Sequence, residues 1–423
     1  MSAMKLITLS GLIAATTALA SCASGYAPSS ASGSTTYTGL VATRNAGANT
    51  FFGGETWITS RQYHVATENL LKGQWSVGYS NYYVNAGSEL ALPGSITYKS
   101  AVEYPAGVIT PCTYGGNSTI TITGLGQANS DHGSCDLAIP LGAGFWTRNL
   151  ITGTLGIPVL PGTRNSVVVN SDAAVGDGGT YGTGTPTDLS YSGSFGSYYG
   201  GIIVPSAYII GPTTRPSGCF AGDSRAFGVQ DTPDTSGTRG EIERSLGPAF
   251  AWTNLSTGGE GLNSALTNYT QRLIVGQYCS FWVDEYGFTE IITGVPASQI
   301  ESEHTSFAAL VGKPTWSTTL PGYSTSTDNW ATLANQIWAG SSGQLTQWQA
   351  YNSYQRSTGI AGEAGMFDVA SIIATSGGLW FVNGSAYGYT PDGVHENTAG
   401  ALLEQTSNLV NPAKICPSPL PCR

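Results

Sequence analysis

The chain has two kinds of hydrophobic pattern, and the change between them comes near residue 206. From about residue 36 to about residue 205, short apolar or alternating runs such as GSITYKSAVEY and STITITGLG lie between clusters of Gly, Pro and Asn. Such runs with turn residues between them predict β-strands, and no long segment has the helical period of 3.6 residues. The pattern therefore predicts an all-β sandwich domain, jelly-roll-like, over residues 36–205.

After about residue 206 the pattern alternates between strand and helix. Apolar runs that end in Gly or charge, at 218–222 and 272–287, predict buried strands. Helical segments are predicted at 240–252, 303–312, 329–340 and 395–410. This alternation indicates a parallel α/β sheet, in which the chemistry lies just past the carboxyl ends of the strands. Ser224 directly follows one such strand.

The first residues have the pattern of an export signal. Lys5 precedes the apolar run LITLSGLIAATTALA, which is too short to span a bilayer permanently. The run ends in LASC, where Cys22 resembles the lipidated cysteine of bacterial lipoproteins; ordinary cleavage after ALA, leaving a free thiol, is the alternative. The sequence thus predicts a signal peptide over 1–21 and a flexible tether over 22–35. The protein is expected in the cell envelope on a lipid anchor, or as a periplasmic or secreted soluble protein.

Cysteine counting supports export. The chain has seven cysteines, so that setting Cys22 aside leaves an even number, as expected in an oxidising compartment. Spacing alone does not fix connectivity, and the local pairing predicts three disulfides, Cys112–Cys135, Cys219–Cys279 and Cys416–Cys422. No His/Cys cluster has metal-ligand spacing, so neither a metal nor another cofactor is expected.

Composition narrows the class of partner. The net charge is −10 and no basic run occurs, which argues against a nucleic-acid partner. Ser, Thr, Asn and Tyr carry most of the polarity, and the chain has 10 Trp and 22 Tyr. Sugar hydroxyls need neutral hydrogen-bond partners, and sugar faces pack on flat aromatic rings. The composition therefore favours a carbohydrate ligand.

Two separated motifs supply candidates for nucleophilic catalysis. GDSRAFG places Ser224 in a turn after an apolar run, and DGVH places Asp392 three residues before His395, on a turn that enters a helix. That spacing can put a carboxylate on the imidazole Nδ1 and leave Nε2 free to take a proton from a serine. Each motif by itself also fits a surface turn or a helix cap.

Together these motifs resemble the SGNH, or GDSL-type, hydrolase superfamily. GDSRAFG matches its first block and DGVHENTAG its fifth, while WTNLSTGGEGL and WVDEYGFTEI lie where the second and third blocks belong. The resemblance covers about residues 206–412 and implies a three-layer α/β/α parallel-sheet hydrolase domain over 206–423. It implies that Ser224 is the nucleophile, His395 the base and Asp392 its orienting carboxylate.

The resemblance also assigns an oxyanion hole, and here the chain departs from the family pattern. The backbone N–H groups of Ser224 and Gly259, with Gly258 as the alternative, are the implied donors. The third block normally reads Gly-x-Asn-Asp, and Thr289 stands where the Asn donor belongs. Losing one donor costs about 3–4 kcal/mol of transition-state stabilisation. Either Thr289 substitutes through its hydroxyl or a water, another group such as Asn254 reaches in, or the enzyme is slow.

The predicted function is that of an exported carboxylic ester hydrolase. An acetylated polysaccharide is the favoured substrate, because the surface is neutral and rich in aromatics and no long apolar lid is evident. A lipase or general short-chain esterase is the alternative within the same chemistry. A catalytically weak or inactive glycan-binding envelope protein, suggested by Thr289, is the alternative from another class.

The remaining histidines fit structural roles. His64 is expected on an ordinary strand, His132 in a surface loop, and His304 in the capping region at a helix start. Asp284 and Glu285 could be read as the carboxylate pair of a glycosidase, but nothing in the sequence fixes their separation, which favours a solvated or salt-bridged role.

Overall fold

The computed structural model describes most of the chain after residue 35. The described residues are 36–46, 50–52, 57–85, 87–91, 94–130, 135, 137–153, 157–159, 178–182, 189, 207–234 and 237–416. The predicted signal peptide and tether, with Cys22, lie outside this part of the chain, as does His132.

Within these residues the chain changes from strands alone to alternating strands and helices, as its pattern predicts. The strands of the first half are β1 (Tyr37–Leu40), β2 (Asn45–Ala46), β3 (Thr50–Phe52), β4 (Trp57–Val65), β5 (Ser76–Asn81), β6 (Tyr83–Asn85), β7 (Ser88–Leu90), β8 (Ser95–Glu103), β9 (Ile109–Pro111), β10 (Ile120–Thr123), β11 (Gly126–Asn129), β12 (Gly144–Gly153), β13 (Ile157–Val159) and β14 (Gly178–Gly182). Those of the second half are β15 (Ala207–Thr213), β16 (Ser217–Gly222), β17 (Ala251–Asn254), β18 (Phe281–Glu285), β19 (Thr315–Thr318), β20 (Ser324–Ser326), β21 (Gln336–Trp338) and β22 (Gly365–Phe367). The helices are α1 (Glu241–Leu246), α2 (Leu262–Thr267), α3 (Thr270–Gly276), α4 (Phe288–Thr293), α5 (Ala297–Val311), α6 (Ser342–Ser357), α7 (Ala370–Ile373), α8 (Thr398–Ser407) and α9 (Pro412–Ile415), with a 3-10 turn at Leu333–Asn335.

Two antiparallel sheets make up most of the first region. One has the strand order β1-β15-β5-β11, and the other has the order β10-β8-β12-β4-β14 with β9 paired to β8. Side chains of both sheets share one core, where the ring of Tyr79 on β5 stacks on Tyr98 of β8 with centroids 4.6 Å apart. The two sheets and their common core are observed. That they form a jelly-roll-like sandwich stays a prediction.

The largest sheet of the second region is parallel, with the order β2-β17-β16-β18-β19-β22. From β16 the chain goes to β17 on one side and then crosses to β18 on the other, so the strand order reverses between β16 and β18. The loops that follow such strands diverge and leave a crevice outside the carboxyl ends. Gly222 of β16 lies in register with Glu285 of β18. The residues after these two positions therefore border the crevice.

Helices cover both faces of the parallel sheet. Alternate side chains of each strand point to opposite faces and pack against the helices there. Cys219 and Ala221 of β16 pack with side chains of α2, α3 and α5, whereas Phe220 between them packs with α1. Burying a side chain the size of Phe stabilises the fold by about 1.5–3 kcal/mol. These packed faces hold the strand ends, and with them the loops that carry the site, in fixed positions.

Each region contributes one strand to a sheet of the other region. β2 extends the parallel sheet through β17, while β15, which follows the predicted domain boundary, pairs with β1 and β5 in an antiparallel sheet. The Asn45 side chain links both sheets, since it donates to the carbonyl of Trp252 at 3.0 Å and accepts from the N–H of Ile209 at 2.7 Å. The described residues after Thr36 belong to one compact unit. The predicted domains 36–205 and 206–423 stay predictions.

Two of the three predicted disulfides are confirmed, Cys112–Cys135 and Cys219–Cys279. The second joins β16 to the residues just before β18, near the amino ends of the two central strands. The third pairing involves Cys422, which lies outside the described residues. Disulfides are typical of proteins that mature outside the reducing cytoplasm.

In the part of the chain that the structure describes, none of the helices has the length and apolar character needed to cross a bilayer.

Two predicted elements are wrong, and the predicted helix at 240–252 is helical only over Glu241–Leu246, since β17 begins at Ala251. Residues 329–340 form a 3-10 turn and β21 of a hairpin instead of a helix. The buried Gln336 side chain explains this, because it accepts from the N–H of Trp380 at 3.0 Å and donates to its carbonyl at 2.9 Å. Residues 272–287 begin with α3, and only β18 is strand. In both places tertiary contacts override the local pattern.

Candidate active site

Ser224 lies in the turn that follows β16. A Cβ on Gly222 would lie 2.5 Å from the Cβ of Ala226, so the chain can turn this tightly only with glycine there. The buried Asp223 carboxylate accepts the N–H of Arg225 at 2.9 Å, which fixes the turn around the serine. Ser224 itself is half-buried at the crevice. Its predicted position past the carboxyl end of a parallel strand is confirmed.

Asp392 and His395 lie on the turn that precedes α8. One Asp392 oxygen accepts the N–H groups of Val394 at 2.9 Å and His395 at 2.8 Å, and the other lies 2.8 Å from the imidazole Nδ1. Gly393 has φ +77°, and a Cβ there would lie 1.8 Å from the carbonyl oxygen of Ser324. A single carboxylate therefore fixes both the turn and the orientation of the ring.

The structure brings these two turns together. His395 Nε2 lies 2.8 Å from Ser224 Oγ, although the residues are 171 positions apart. In the tautomer whose Nδ1–H donates to Asp392, Nε2 presents its lone pair to the Ser224 hydroxyl. Burial by itself would raise the pKa of Asp392, but hydrogen bonds from the His395 ring and backbone outweigh it and lower the pKa below its ordinary value. An ionised carboxylate, an imidazole and a serine hydroxyl thus stand in the order that nucleophilic catalysis requires.

The predicted oxyanion glycines lie in the turn after β17. The N–H of Thr257 donates to the last carbonyl of β16 at 3.0 Å, and the N–H of Glu260 returns to the Thr257 carbonyl at 3.2 Å. Gly259 has φ +74°, the conformation of the third residue of a type II turn. Both glycines are exposed; a Cβ on Gly258 would lie 3.9 Å from that of Ser224, whereas one on Gly259 would meet nothing within 4 Å. Gly258, the alternative oxyanion donor, thus lies beside Ser224, whereas Gly259 faces open space.

The two side chains considered as further oxyanion donors are engaged elsewhere. The Thr289 hydroxyl donates to Asp223 Oδ2 at 3.0 Å, and a hydroxyl has only one proton. Thr289 as an oxyanion donor stays a prediction that this contact opposes. The Asn254 amide donates to the carbonyl of Ala226 and to Glu243 Oε1, both at 2.7 Å. These contacts oppose the alternative in which Asn254 reaches into the site.

A second histidine–aspartate pair, which the sequence did not predict, lies in the core. His304 occupies the middle of α5 and not a helix start; its Nδ1 lies 2.8 Å from Asp284 Oδ2 and its Nε2 lies 2.8 Å from the Tyr351 hydroxyl. Its side chain and that of Asp284 are fully buried. Burial would lower the pKa of His304, but Asp284 and Glu363 raise it to about 9. This pair holds a buried imidazolium and lacks a serine.

His64 lies on β4, as expected. It is fully buried, with Nδ1 3.0 Å from the Thr43 carbonyl and Nε2 3.2 Å from the Thr147 hydroxyl. Burial lowers its pKa to about 3, so this ring is neutral at ordinary pH. His64 is a hydrogen-bonded core residue of the antiparallel sheet.

Among the described residues, two groups of acidic and histidine side chains have the mutual distances of metal ligands. They are Asp284 with His304 and Glu363, and Glu241 with Glu396 and Glu404. Each group already includes or contacts a side-chain cation, the His304 imidazolium in the first and the Arg225 guanidinium in the second. Their negative charge is therefore balanced in part by the chain itself.

Aromatic rings from two loops lie beside the turn that carries His395. A Cβ on Gly393 would lie 2.8 Å from the Trp330 ring, whose Nε1 donates to Ser324 Oγ at 3.0 Å. The Tyr387 ring lies 6.4 Å from that of Trp330 and is 47% exposed. Both residues have φ near +60°, at +59° for Trp330 and +58° for Tyr387. Left-handed backbone at bulky residues is uncommon and clusters at functional sites.

No protein-family model matches the chain, and no curated protein matches its sequence. Solved structures do resemble it. An acetylxylan esterase from Geobacillus stearothermophilus, in a catalytic mutant form, is 12% identical over 46% of this chain and 94% of its own, with a TM-score of 0.32. A salicylyl-acyltransferase from a tetracycline biosynthetic pathway is 9% identical over 86% of this chain and 83% of its own, also at 0.32. A protein provisionally described as lipolytic and of the G-D-S-L family, from Desulfitobacterium hafniense DCB-2, is 11% identical over 46% and 98%, at 0.31.

The matching structures thus include proteins of the family that the motifs resemble. At TM-scores this low the likeness is loose and says nothing of the activity of this chain. Its function has to be inferred from its own residues.

Proposed function

We propose that the chain is a serine esterase of the SGNH type, which hydrolyses carboxylic esters through an acyl-enzyme on Ser224. One observation carries the proposal: Asp392, His395 and Ser224 form an unbroken line of contacts, each 2.8 Å long, at the crevice where the strand order reverses. The line joins two turns that are distant in sequence, and each turn is held by its own glycine.

The proposed reaction is acyl transfer in two halves. His395 Nε2 takes the hydroxyl proton as Ser224 Oγ attacks the ester carbonyl, and Asp392 stabilises the imidazolium that forms. The proton then passes to the leaving alcohol. Water, deprotonated by the same nitrogen, attacks the acyl-enzyme, so the acid leaves and the serine is restored. These steps use only groups of the chain.

The developing oxyanion is assigned to two backbone donors, the N–H of Ser224 and that of Gly259 or Gly258. Because the Thr289 hydroxyl donates to Asp223, it is not counted as a third. A missing donor lowers the rate by about 100- to 1000-fold. The proposal therefore includes slow turnover relative to an esterase with three donors.

The proposed substrate is an acetylated polysaccharide. Trp330 and the exposed Tyr387 lie beside the turn that carries the base, and aromatic faces pack well against sugar rings. One observation favours a lipase as a second candidate: Leu333 and Ile337, on the hairpin that includes Trp330, are 39% and 69% exposed and could contact an acyl chain. Acyl-chain preference separates the two candidates.

The proposal also places the protein outside the cytoplasm, held to the membrane by a lipid on Cys22. The two disulfides support the compartment but not the anchor. Expression of the full chain in a bacterium that lipidates lipoproteins tests the anchor. The protein should partition into detergent with the membrane fraction, and Cys22→Ala should release it.

The function is tested by acetate release from acetylated xylan, acetylated glucan and peptidoglycan, with p-nitrophenyl acetate and decanoate as small substrates. Wild type should release acetate, and Ser224→Ala should fall to background. Ser306→Ala, which removes an exposed hydroxyl on α5, is the matched control and should behave as wild type. Equal hydrolysis by wild type and Ser224→Ala would reject the esterase, and preference for decanoate would select the lipase.

A further inference from the structure

The residues immediately after the nucleophile and the base meet in the core. Arg225 follows Ser224, and Glu396 follows His395. Arg225 Nη2 lies 2.9 Å from Glu396 Oε1, and the two side chains are 0% and 4% exposed. The two catalytic turns are thus joined at the surface by imidazole and hydroxyl and beneath it by a buried ion pair.

The Arg225 guanidinium also contacts three other elements of the parallel-sheet region. It lies 3.2 Å from Glu241 at the start of α1 and 3.7 Å from Glu285 at the end of β18. It lies over the ring of Phe288, the first residue of α4, at 5.6 Å. One cation therefore ties the nucleophile turn to α1, to the neighbouring strand and to the turn of the base.

This pair is poorly explained as a stabilising device. Taking two charges out of water costs about as much as their attraction returns, and apolar pairs of similar size are often as stable. The guanidinium is also imperfectly satisfied, because its Nε and Nη1 have no hydrogen-bond partner among the described residues. What a buried ion pair does supply is a defined geometry, since charge and hydrogen-bond direction fix the positions of both partners.

We propose that the Arg225–Glu396 ion pair is a positioning pair, which sets the distance and orientation between Ser224 Oγ and His395 Nε2. This inference rests on the proposed esterase function. Both members lie one residue from the group they position, so a shift of either turn is transmitted directly to the 2.8 Å contact. A displacement of about 1 Å at reacting atoms can lower the rate roughly 100-fold.

The test compares Glu396→Ala with Glu396→Gln. The glutamine keeps the size and an oxygen that accepts from Arg225, whereas the alanine removes both. With p-nitrophenyl acetate and active sites counted by titration, Glu396→Ala should lower kcat roughly 100-fold with KM little changed. Glu396→Gln should recover most of that loss. Equal kcat values for wild type and Glu396→Ala would overturn the proposal.

A buried ion pair far from the site controls for general destabilisation. Arg61 Nη2 lies 3.0 Å from Glu103 Oε1 in the antiparallel sheet, with side chains 4% and 2% exposed. Glu103→Ala should lower the melting temperature as Glu396→Ala does but leave kcat per titrated site unchanged. An equal loss of kcat in Glu103→Ala would mean that any core damage slows the enzyme, which also overturns the proposal.

Crystal structures of wild type and Glu396→Ala separate this inference from the proposed function. The distance from Ser224 Oγ to His395 Nε2 should exceed hydrogen-bond range in the variant. An unchanged distance would refute positioning whether or not the protein hydrolyses esters. An increased distance in a protein without esterase activity would leave positioning intact and refute the function.

Discussion

Among the residues that the structure describes, two histidine–aspartate pairs have the same contacts and different surroundings. His395 and His304 each place Nδ1 2.8 Å from an aspartate oxygen and Nε2 2.8 Å from a hydroxyl. The first pair is 15% and 33% exposed and faces Ser224; the second is fully buried and faces Tyr351. The imidazole–carboxylate contact therefore does not identify a catalytic pair. The two pairs are distinguished by their access to the crevice and by the third group, which is Ser224 in one pair and Tyr351 in the other.

The electrostatics of the buried pair argue against a role in acyl transfer. Asp284 and Glu363 overcome the effect of burial and raise the pKa of His304 to about 9, so at neutral pH the ring already carries the proton that a general base must accept. Burial raises the pKa of the Tyr351 hydroxyl well above its usual value, which keeps it neutral. The pair instead joins β18, α5 and α6.

Replacing His395 should have the largest effect on activity. His395→Ala removes the general base and should lower kcat by about 10⁴-fold or more, with the melting temperature near that of wild type because the ring is partly exposed. Initial rates with p-nitrophenyl acetate and a thermal melt measure both quantities. Near-normal kcat in His395→Ala would remove the distinction between the two pairs.

Replacing His304 should reverse that result. His304→Leu leaves Asp284 and Glu363 without their cation in the core, which should lower the free energy of unfolding by about 3–5 kcal/mol. Urea unfolding measures the loss, and kcat per titrated active site should stay within about threefold of wild type. A folded His304→Leu protein that is stable but inactive would show that the buried pair takes part in the chemistry.

The stability of the fold should decrease from about pH 6.5 to pH 9. Burial raises the pKa of Glu290 to about 7 and also raises that of Glu396, so their contribution is full below the ordinary carboxyl pKa and is lost as the pH rises through the raised value. His304 adds a contribution that is lost as the pH rises through about 9. His64 acts in the opposite sense below its ordinary pKa of 6.5, because burial lowers its pKa to about 3 and only the unfolded state takes up the proton there. Melting temperatures should therefore fall from about pH 6.5 to pH 9. A melting temperature that is highest above pH 8 would contradict the predicted direction of the change.

The smallest effect is expected at Thr289. Thr289→Val keeps the shape and removes the hydroxyl that donates to Asp223, which should cost about 1–3 kcal/mol of stability and change kcat by less than threefold. Steady-state kinetics and urea unfolding of the folded variant measure both. A fall in kcat of about 100-fold would instead restore Thr289 as an oxyanion donor.

The contact between the exposed pair, Asp392 and His395, could be predicted from sequence because it is encoded locally. The apolar run before Gly222 predicts a buried parallel strand, and the carboxyl end of such a strand is where a site forms. Asp392, Gly393 and His395 lie within one turn, so their mutual geometry depends on few residues. The local patterns did not predict that the turns of Ser224 and His395 meet. The family resemblance implied this contact, and the structure contains it.

The buried pair could not be predicted in the same way, because Asp284 and His304 lie on different elements and no local motif joins them. One signal was present: Ile300, His304 and Phe307 have helical spacing and are all buried on α5, which places His304 on an apolar face. The wrong helix at 329–340 has a similar cause. Gln336 is fixed by the backbone of Trp380, a contact that no local pattern encodes.

The most direct test of the Ser224–His395–Asp392 line is covalent labelling of the folded protein with a fluorophosphonate, read by peptide mass spectrometry. A single adduct on Ser224 is expected, formed at the wild-type rate in Thr289→Val and far more slowly in His395→Ala. An unlabelled folded wild-type protein, or an adduct on another residue in place of Ser224, would contradict the assignment of Ser224 as the nucleophile.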